Sequence, residues 1–477
     1  MFATGARQFR MAMSMVWGTR INPRNVERLV RDALQTLEEF GEPGDDVQQV
    51  LQGPFTDPNA RKTLQNGAIQ RTAKRLARSS PYYKKLFASH EIAPEKLTVD
   101  LMPRVPVTRK QALLEQQQEF ITTDSRTYIS TRTTGTTGNP AEIWLSHYEF
   151  ELCPAFSALS GLLRNEISPK DCMQINISSR ATAAVQQNLN LCRLVGARTR
   201  VLGIIPPEES LNSLLTGGDE APTLLSTYPS YLAQLVQAAR KRGLGPSDFH
   251  LRRVDCGGEV LSSTLIRAAK ETLGPAIVAD NYQMTEILPV SARACSQRHL
   301  HHDLNIGFVE VIDLETGEPA EPGALGSLVV TPYFPYRECM PVFRYDTRDV
   351  VRVIADEDLT CELAGVPATT HILSKADHLL RTTGQIVTMR ELVEACESLP
   401  SQPMPARFHA QAVNDHIEMV LPSSAMEGMT KEEVERRFRA AGIPLKVIES
   451  AAPEHEAAQI RPLRADLLET TFTAGRS

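Results

Sequence analysis

The 477-residue chain lacks several features that would assign a protein to a class at once. No apolar run approaches the roughly 20 residues that span a membrane, so we expect no membrane-embedded segment. The eight cysteines do not follow the spacing of a disulfide framework, which makes a reducing cytoplasm the expected location. Basic residues are not in excess, and the formal net charge of −6 argues against general binding to nucleic acid.

The sequence also shows no internal repeat and no long low-complexity stretch. The apolar patch within its first 20 residues is too short for a secretory signal. With 42% hydrophobic and 23% charged residues, the composition is typical of a soluble globular protein with two or more domains.

A loop rich in threonine and glycine, Thr133 to Gly138, lies between two segments that alternate as strands do. It lacks the following helix and the Gly-Lys-Ser/Thr ending of the Walker loop. Its glycines let a ligand approach the backbone, and its N–H groups and hydroxyls can bind phosphate oxygens. The pattern therefore indicates a phosphate-binding hairpin, with an ordinary Thr/Gly-rich turn as the alternative.

Beyond this loop, strands and helices alternate, which predicts an α/β protein with a largely parallel sheet covered on both faces. The predicted strands are residues 201–205, 224–227, 253–256 and 277–280, and the predicted helices are 229–240 and 262–273. Residues 309–331 are expected to form a β-rich subdomain. Near the N-terminus, Asn22, Pro23 and Gly41 bound a helix whose apolar stripe could cover the domain or a second subunit, as in a homodimer.

The threonine-rich loop resembles the Ser/Thr-Gly-Thr-Thr-Gly-Lys-Pro segment of adenylate-forming enzymes, the acyl-CoA synthetase and luciferase superfamily. In that family the loop holds the β- and γ-phosphates of ATP. Here Asn139 replaces the family's lysine. The resemblance implies that ATP is bound by Thr133, Thr134, Gly135, Thr136, Thr137 and Gly138.

Further motifs follow in the family's order. Residues 281–286 resemble Tyr-Gly-x-Thr/Ser-Glu, which implies that Tyr282 stacks on adenine, Thr285 contacts the α-phosphate and Glu286 binds Mg²⁺. Thr285 and Glu286 are thus the implied catalytic residues, although Glu286 could instead be a surface carboxylate. Asp349 ends a phrase similar to Arg-Tyr-x-Thr-x-Asp, whose last residue accepts both ribose hydroxyls. The other implied nucleotide contacts are Gly258, Glu259, Asn281 and Lys375.

Residues 79–87 and 105–110 resemble the N-terminal region of phenylacetate–CoA ligases specifically. This branch implies a large N-terminal domain with mostly parallel sheets covered by helices plus a β-rich subdomain, and a small mobile α+β lid. The expected domains are a helical extension over residues 1–60, the adenylate-forming domain over 61–376 and the lid over 377–477, with Asp377 as the hinge. The implied substrate pocket is formed by Tyr228, Tyr231 and Gln283.

Two departures from the family's pattern concern this lid. In the hinge phrase, Ser374, Lys375 and His378 replace glycine, arginine and aspartate. Near the C-terminus the family has a lysine that stabilises charge during attack on the α-phosphate. The residues near its position are Gln459, Arg461 and Arg464, and none of them is assigned a role.

Some relatives in this branch carry a Cys/His zinc site beside the Tyr-Gly-x-Ser-Glu motif. Cys295, His301 and Cys361 match that site in part, and thiolates with an imidazole suit structural Zn²⁺. A fourth ligand is not evident, so separate buried cysteines are the alternative.

The resemblance implies that ATP, Mg²⁺ and an aromatic carboxylic acid give an acyl-adenylate and pyrophosphate, after which a thiol such as coenzyme A takes the acyl group. One alternative keeps the ATP chemistry but uses an amine or a carrier protein as acceptor, or activates nitrite for diazotisation of an aryl amine. Another alternative is a nucleotide-binding member without catalysis, which Asn139, Ser374 and Gln459 favour.

Overall fold

The structure, a computed structural model, describes residues 2–41, 57–133, 140–179 and 181–448. The chain divides into two compact units. The first unit comprises Met1–Met173, Ser178–Thr199 and Tyr282–His371, and the second comprises Gln174–Ile177, Arg200–Asn281 and Ile372–Ser477. Among the described residues, no helix is long and apolar enough to cross a membrane.

The helices are numbered along the chain. Those of the first unit are α1 (Phe2–Trp17), α2 (Pro23–Phe40), α3 (Pro58–Ser79), α4 (Pro81–Ser89), α5 (Lys110–Glu115), α6 (Gln117–Phe120), α7 (His147–Leu163) and α8 (Thr182–Val195). Those of the second unit are α9 (Pro207–Leu214), α10 (Pro229–Lys241), α11 (Ser263–Leu273), α12 (Met389–Glu397) and α13 (Lys431–Ala440). Short 3₁₀ turns cover Pro94–Lys96, Val99–Arg104, Gly218–Glu220, Pro246–Asp248, Asp356–Asp358, Ala376–His378 and Ser423–Met426.

The strands are numbered in the same way. They are β1 (Thr127–Arg132), β2 (Glu142–Ser146), β3 (Cys172–Asn176), β4 (Arg198–Val201), β5 (Leu224–Thr227), β6 (Arg253–Gly257), β7 (Ile277–Gln283), β8 (Ser291–Ala294), β9 (Leu300–His302), β10 (Gly307–Asp313), β11 (Leu325–Pro332), β12 (Tyr345–Arg352), β13 (Ala368–Thr369), β14 (Ser374–Lys375), β15 (Leu380–Arg381), β16 (Ile386–Val387), β17 (His409–Val413), β18 (His416–Val420) and β19 (Leu445–Ile448).

Helix α2 begins and ends where its capping residues predict. The Asn22 side chain accepts the Arg24 N–H at 3.0 Å, Pro23 occupies the first turn, and Gly41 ends the helix at a φ of 84°. Val26 and Val30 of its apolar stripe are fully buried, and the helix packs against α7 within the first unit. The stripe is therefore core.

The threonine-rich loop is carried by an antiparallel hairpin, as predicted. Strands β1 and β2 pair from Thr127↔Ser146 to Arg132↔Glu142. Helix α7 follows directly, and its start is fixed by a capping box in which Ser146 and Glu149 bond each other's backbone N–H. The second strand of the hairpin is therefore followed directly by a buried helix. Loop residues 134–139 lie outside the described residues.

The predicted parallel α/β arrangement is confirmed in the second unit. Strands β5, β6 and β7 run parallel in the registers Leu224↔Arg253 and Arg253↔Ile277, with α10 and α11 as the connections. The carboxyl ends of these strands therefore meet at one edge of the sheet, which is where ligands of such sheets bind.

In the first unit the strands pair in antiparallel fashion. The last two residues of β7 pair with β8, β8 pairs with β9, and β9 pairs with β13. Strands β10, β11 and β12 form a second antiparallel sheet, which contains the β-rich segment predicted over 309–331.

One predicted strand, residues 201–205, is mostly wrong. Strand β4 ends at Val201, because Gly203 takes a left-handed φ of 69° and Pro206 and Pro207 begin helix α9. The apolar run after Val201 instead contributes to packing, with Ile204 buried.

Within the second unit, the C-terminal stretch builds a small α+β layer. Strand β18 pairs antiparallel with β17 and parallel with β19. Helices α12 and α13 contribute Leu392 and Phe438 to the core of this layer, where both are fully buried with Phe408. This arrangement agrees with the predicted fold class of the C-terminal region.

Candidate functional site

Four buried residues form a group that we call the carboxylate cluster. Tyr282 lies near the end of β7, Glu286 follows that strand, and Tyr345 and Asp349 belong to β12. The Tyr282 hydroxyl donates to Asp349 Oδ2 at 2.9 Å. Burial and the Asp349 carboxylate hold the pKa of Tyr282 well above its usual value. Burial, with the Glu286 and Asp349 carboxylates, does the same for the pKa of Tyr345. Both phenols therefore stay protonated as donors beside two carboxylates.

The backbone around Asp349 is fixed locally. Its N–H donates to Thr347 Oγ1 at 3.1 Å, and the Thr347 hydroxyl donates to the Leu328 carbonyl of the neighbouring strand at 2.7 Å. Asp349 lies in β12 where the pairing with β11 shifts register, between the pairs Asp346↔Val329 and Val350↔Ser327, and these two bonds fix its backbone there. A fixed backbone suits a ligand-binding carboxylate.

The remaining site residues of the first unit lie beside these groups in the chain. Thr133 closes the hairpin, since its N–H donates to the Ala141 carbonyl and its Oγ1 accepts the Ala141 N–H, both at 2.9 Å. Thr285 is half-buried next to Glu286, and Gln283 is exposed. The other predicted phosphate-loop residues lie outside the described part of the chain: Thr134, Gly135, Thr136, Thr137 and Gly138.

In the second unit, Gly258 and Glu259 form the turn after β6. Gly258 adopts a φ of 79°, which favours glycine, and the buried Glu259 accepts the Ser230 N–H at 2.8 Å. This bond places Glu259 at the first turn of α10, whose N-cap residue Tyr228 makes no side-chain capping bond. Glu259 thereby ties the turn that carries two of the implied nucleotide contacts to the start of helix α10.

Asn281 and Tyr231 are both engaged with protein groups in the second unit. Asn281 Nδ2 donates to Asp255 Oδ1 at 2.9 Å, and Tyr231 donates its hydroxyl to the Ile205 carbonyl at 2.6 Å. Tyr231 has no exposed surface and belongs to the core of this unit.

Two further predicted residues of the second unit, Lys375 and Asp377, lie two positions apart in the sequence. Lys375 is half-buried at the start of the 3₁₀ turn Ala376–His378, which contains the exposed Asp377.

The predicted thiol and imidazole groups come together in the first unit. A fourth residue, His299, lies with Cys295, His301 and Cys361. Each of the four offers one ligand atom, and these four atoms all lie within 4.8 Å of one another. We call these four residues the Cys/His cluster. The ligand atoms of tetrahedral zinc lie about 3.3–3.8 Å apart, as follows from Zn–N and Zn–S bond lengths, so the cluster is close to a closed four-ligand site.

Surrounding contacts orient the Cys/His cluster. His301 Nδ1 lies 3.0 Å from the Val366 carbonyl, and this bond leaves Nε2 directed at the Cys361 sulfur, 3.3 Å away. Burial lowers the pKa of His301 to about 4, which keeps the ring neutral as a metal ligand must be. His299 Nδ1 is buried and finds no hydrogen-bond partner in the described part of the chain.

A second contact joins the two segments that carry the cysteines. Glu362, next to Cys361, accepts both the backbone N–H and the hydroxyl of Ser296, next to Cys295. His299 was missed from the sequence, although it lies two residues before His301, and such residues share a face in an extended chain.

Comparison with known proteins agrees with these features. Residues 60–334 match the family described as AMP-binding enzyme. The chain is 26% identical over 322 residues to a phenylacetate-coenzyme A ligase of Thermus thermophilus, covering 63% of this chain and 67% of that protein. A phenylacetate-coenzyme A ligase of Pseudomonas putida is 32% identical over 139 residues, 28% of this chain and 31% of that one.

Among solved structures, 2-hydroxyisobutyryl-CoA ligase in the postadenylation state superposes with a TM-score of 0.68 at 17% identity, covering 87% of this chain and 92% of that chain. An open conformation of the same ligase superposes with a TM-score of 0.62 at 18% identity, covering 83% and 89%. At these identities the likeness shows the fold.

These findings define an adenylate-forming ligase. The chain belongs to the AMP-binding enzyme family, and within it to the phenylacetate–CoA ligase-like branch. The recognition of this superfamily from the sequence motifs is therefore confirmed.

Proposed function

We propose that the protein activates an aromatic carboxylic acid with ATP and then transfers the acyl group to coenzyme A. In the first half-reaction a carboxylate oxygen of the acid bonds to the α-phosphorus, and the bond from that phosphorus to the bridging oxygen breaks to release pyrophosphate. In the second, the thiol sulfur bonds to the acyl carbon, its proton passes to solvent, and AMP leaves with the electron pair of the broken C–O bond.

The carboxylate cluster is the observation that carries this proposal. Asp349 can accept both ribose hydroxyls, because a carboxylate offers several lone-pair sites. Glu286 would hold Mg²⁺, which when bound neutralises charge on the phosphates. Thr285 lies next to Glu286 in the chain and would contact the α-phosphate. A buried pair of carboxylates has a clear use in such a reaction, because one would accept the ribose hydroxyls and the other would hold the cation that offsets the negative charge of the phosphates.

The identity of the acid and of the acceptor comes from the relatives named above. Both curated relatives are phenylacetate-coenzyme A ligases, which supports an aromatic acid and coenzyme A. A screen of pyrophosphate release over aryl acids, with and without coenzyme A, tests this directly. Mass spectrometry should find an aryl-acyl thioester; a new amide, a carrier-bound acyl group or a diazo product would overturn the acceptor. No pyrophosphate release with any acid, or with amine and nitrite, would leave a protein that only binds nucleotide.

We also propose that residues 377–477 act as a lid that turns about Asp377 between the two half-reactions. The exposed position of Asp377 in a short turn supports a hinge. Asp377→Pro should slow thioester formation while pyrophosphate exchange continues; equal loss of both would contradict the role of Asp377.

A separate proposal is that the Cys/His cluster holds structural Zn²⁺. Three observations fit the ligand set of a closed zinc site: four N and S ligands lie together, a buried histidine nitrogen has no hydrogen-bond partner among the described residues, and a neutral imidazole is held by a carbonyl. Zinc would supply folding energy there rather than catalysis.

Metal analysis of the purified protein tests the zinc proposal. We expect about one zinc per chain, as one closed four-ligand site requires. His299→Ala and Cys361→Ser should each lower the zinc content and the melting temperature, and a chelator should lower the melting temperature of the wild type. Cys396→Ser, at a buried cysteine outside the cluster, is the matched control and should retain the metal. A metal-free wild type with an unchanged melting temperature in chelator would refute the proposal.

A further inference from the structure

A cavity lies in the first unit between the β1–β2 hairpin and helices α7 and α8. The empty space within it is about 500 Å³, a volume that includes space open to solvent. Its walls are mainly apolar, and the residues that form them are Ile129, Leu145, Phe150, Cys153, Pro154 and Leu288.

The cavity is adjacent in the chain to the groups that would bind ATP. Thr131 lines it two residues before Thr133, at the start of the threonine-rich loop. Leu288 lines it two residues after Glu286, the proposed Mg²⁺ ligand. A molecule in this cavity would therefore lie between the two chain segments that would hold the phosphates and the metal.

One residue of the wall carries a buried hydroxyl that has no hydrogen-bond partner among the described residues. Thr131 is only 6% exposed, and its Oγ1 makes no hydrogen bond within the part of the chain that the structure describes. Buried hydroxyls in folded proteins nearly always have a partner, because burial without one is unfavourable. The Thr131 hydroxyl is thus available to a ligand.

The other polar groups of the wall are already engaged or lie on helix α8. Glu149 accepts the N–H groups of Ser146, Glu338 and Cys339, which occupies both of its oxygens. The polar groups that helix α8 contributes to the wall are all uncharged: the Thr182 hydroxyl, which donates to the Ser179 carbonyl at 3.4 Å, and amides such as that of Gln187, whose Nε2 lies 3.3 Å from Ser157 Oγ. The wall therefore offers no free charge to a ligand, and recognition would rest on shape and hydrogen bonds.

From these features, and on the basis of the proposed function, we infer that the cavity binds the body of the acid, and that this acid is an aromatic one carrying a hydroxyl or amino substituent that bonds to Thr131. The apolar walls suit the ring, and the Thr131 hydroxyl, which has no partner among the described residues, suits one polar substituent. A site built to hydrogen-bond a substituent discriminates strongly against the analogue that lacks it.

The test compares pairs of aryl acids in which a hydroxyl or amino group replaces a methyl group at each ring position. The wild type should prefer one polar acid over its methyl partner by roughly tenfold or more in kcat/KM for pyrophosphate release. Thr131→Val keeps the side-chain shape and should abolish that preference while leaving the KM for ATP unchanged. Thr127→Val, at an exposed position on the same strand, is the control and should keep the preference.

A second variant reports on the cavity without turnover. Ala183→Leu would narrow it, and isothermal titration should then show weaker binding of the preferred acid with unchanged binding of AMP. Equal kcat/KM for all pairs in the wild type, or an unchanged preference in Thr131→Val, would overturn the inference. If no acid is turned over, the proposed function fails, whereas acid binding that is sensitive to Ala183→Leu would still place a ligand in the cavity; no acid binding would overturn both.

Discussion

Removing the hydroxyl oxygen of Tyr282 should separate two roles of the carboxylate cluster in nucleotide binding, the stacking on adenine and the binding of the ribose hydroxyls. Tyr282→Phe keeps the aromatic ring, which would stack on adenine, but deletes the hydroxyl that donates to Asp349. Asp349 would then lose a donor that fixes its orientation toward the ribose. We therefore expect a loss of affinity that depends on the ribose hydroxyls.

The size of the effect follows from the bond that is removed. The O···O distance is 2.9 Å, and Tyr282 and Asp349 are 9% and 5% exposed, so water does not readily replace the hydroxyl. A hydrogen bond to a charged group contributes about 1.5–3 kcal/mol. Each 1.4 kcal/mol is about tenfold in affinity, so the upper limit is roughly 10- to 150-fold. Part of this will be lost to rearrangement of Asp349 in the free protein, so we expect the affinity for AMP to fall by about 5- to 50-fold.

Isothermal titration with two nucleotides measures this effect. AMP carries both ribose hydroxyls, and 2′,3′-dideoxy-AMP carries neither. Tyr282→Phe should weaken AMP binding by the amount above and dideoxy-AMP binding by less than about threefold, since stacking is retained. Adding Asp349→Asn completes a double-mutant cycle, in which the two changes should be coupled by more than about 1 kcal/mol for AMP.

Two results would refute this reasoning. If Tyr282→Phe weakens both nucleotides equally, the hydroxyl acts on the base or on the fold and not on the ribose carboxylate. If the two substitutions are additive for AMP, the bond between Tyr282 and Asp349 does not contribute to nucleotide binding.

Three further outcomes are expected. Glu286→Gln should lower the rate of adenylation by about 10²–10³ in a pyrophosphate-release assay while AMP still binds, because the charge that would hold Mg²⁺ is gone. Burial raises the pKa of Glu397 to about 7 from 4.5, so its contribution to stability is present at low pH and is lost as the pH rises through 7. The free energy of unfolding of Glu397→Gln, relative to that of the wild type, should therefore increase by about 3 kcal/mol from pH 4.5 to pH 8, as measured by urea unfolding. Arg337→Met should cost about 3–5 kcal/mol in the same assay, because it leaves the buried Glu149 without its cation 3.4 Å away.

Exposed positions provide matched controls for these variants. Glu357→Gln should leave adenylation unchanged, Glu427→Gln should keep the wild-type dependence of stability on pH, and Arg436→Met should not change the free energy of unfolding by more than about 0.5 kcal/mol. Full turnover in Glu286→Gln would remove that residue from the site. A difference between Glu397→Gln and wild type that does not change with pH, or an Arg337→Met variant as stable as wild type, would contradict the corresponding argument.

Local signals in the sequence were sufficient for much of the fold. Asn22 and Gly41 bound a helix because caps act within one turn of the chain, and the structure has the same ends. The strand at residues 224–227 has the predicted bounds, because a short apolar run between turn signals is a local pattern. The strand predicted over 201–205 was wrong because its apolar residues did not reveal the left-handed turn at Gly203.

Contacts between distant residues could not be read in this way. The sequence motifs pointed to Tyr282 and Asp349 separately, but the bond between them joins residues 67 positions apart and depends on how β7 and β12 are placed in the first unit. The same holds for Thr131, which looks like any other strand threonine. Only the three-dimensional packing shows that its hydroxyl is buried, lines a cavity and lacks a partner among the described residues.

The Cys/His cluster combines local features, which the sequence can predict, with a long-range contact, which it cannot. His299 and His301 could have been paired from their spacing, since alternate residues of a strand face the same side. Cys295 is placed near them by a turn in which Arg298 takes a left-handed φ of 63°, a conformation that could not be predicted from the sequence. Cys361 comes from 60 residues further on and is brought in by the contact between Ser296 and Glu362. Three ligands on one short hairpin need little chain closure, whereas the fourth must close a long loop, so a bound metal would stabilise that long-range contact most.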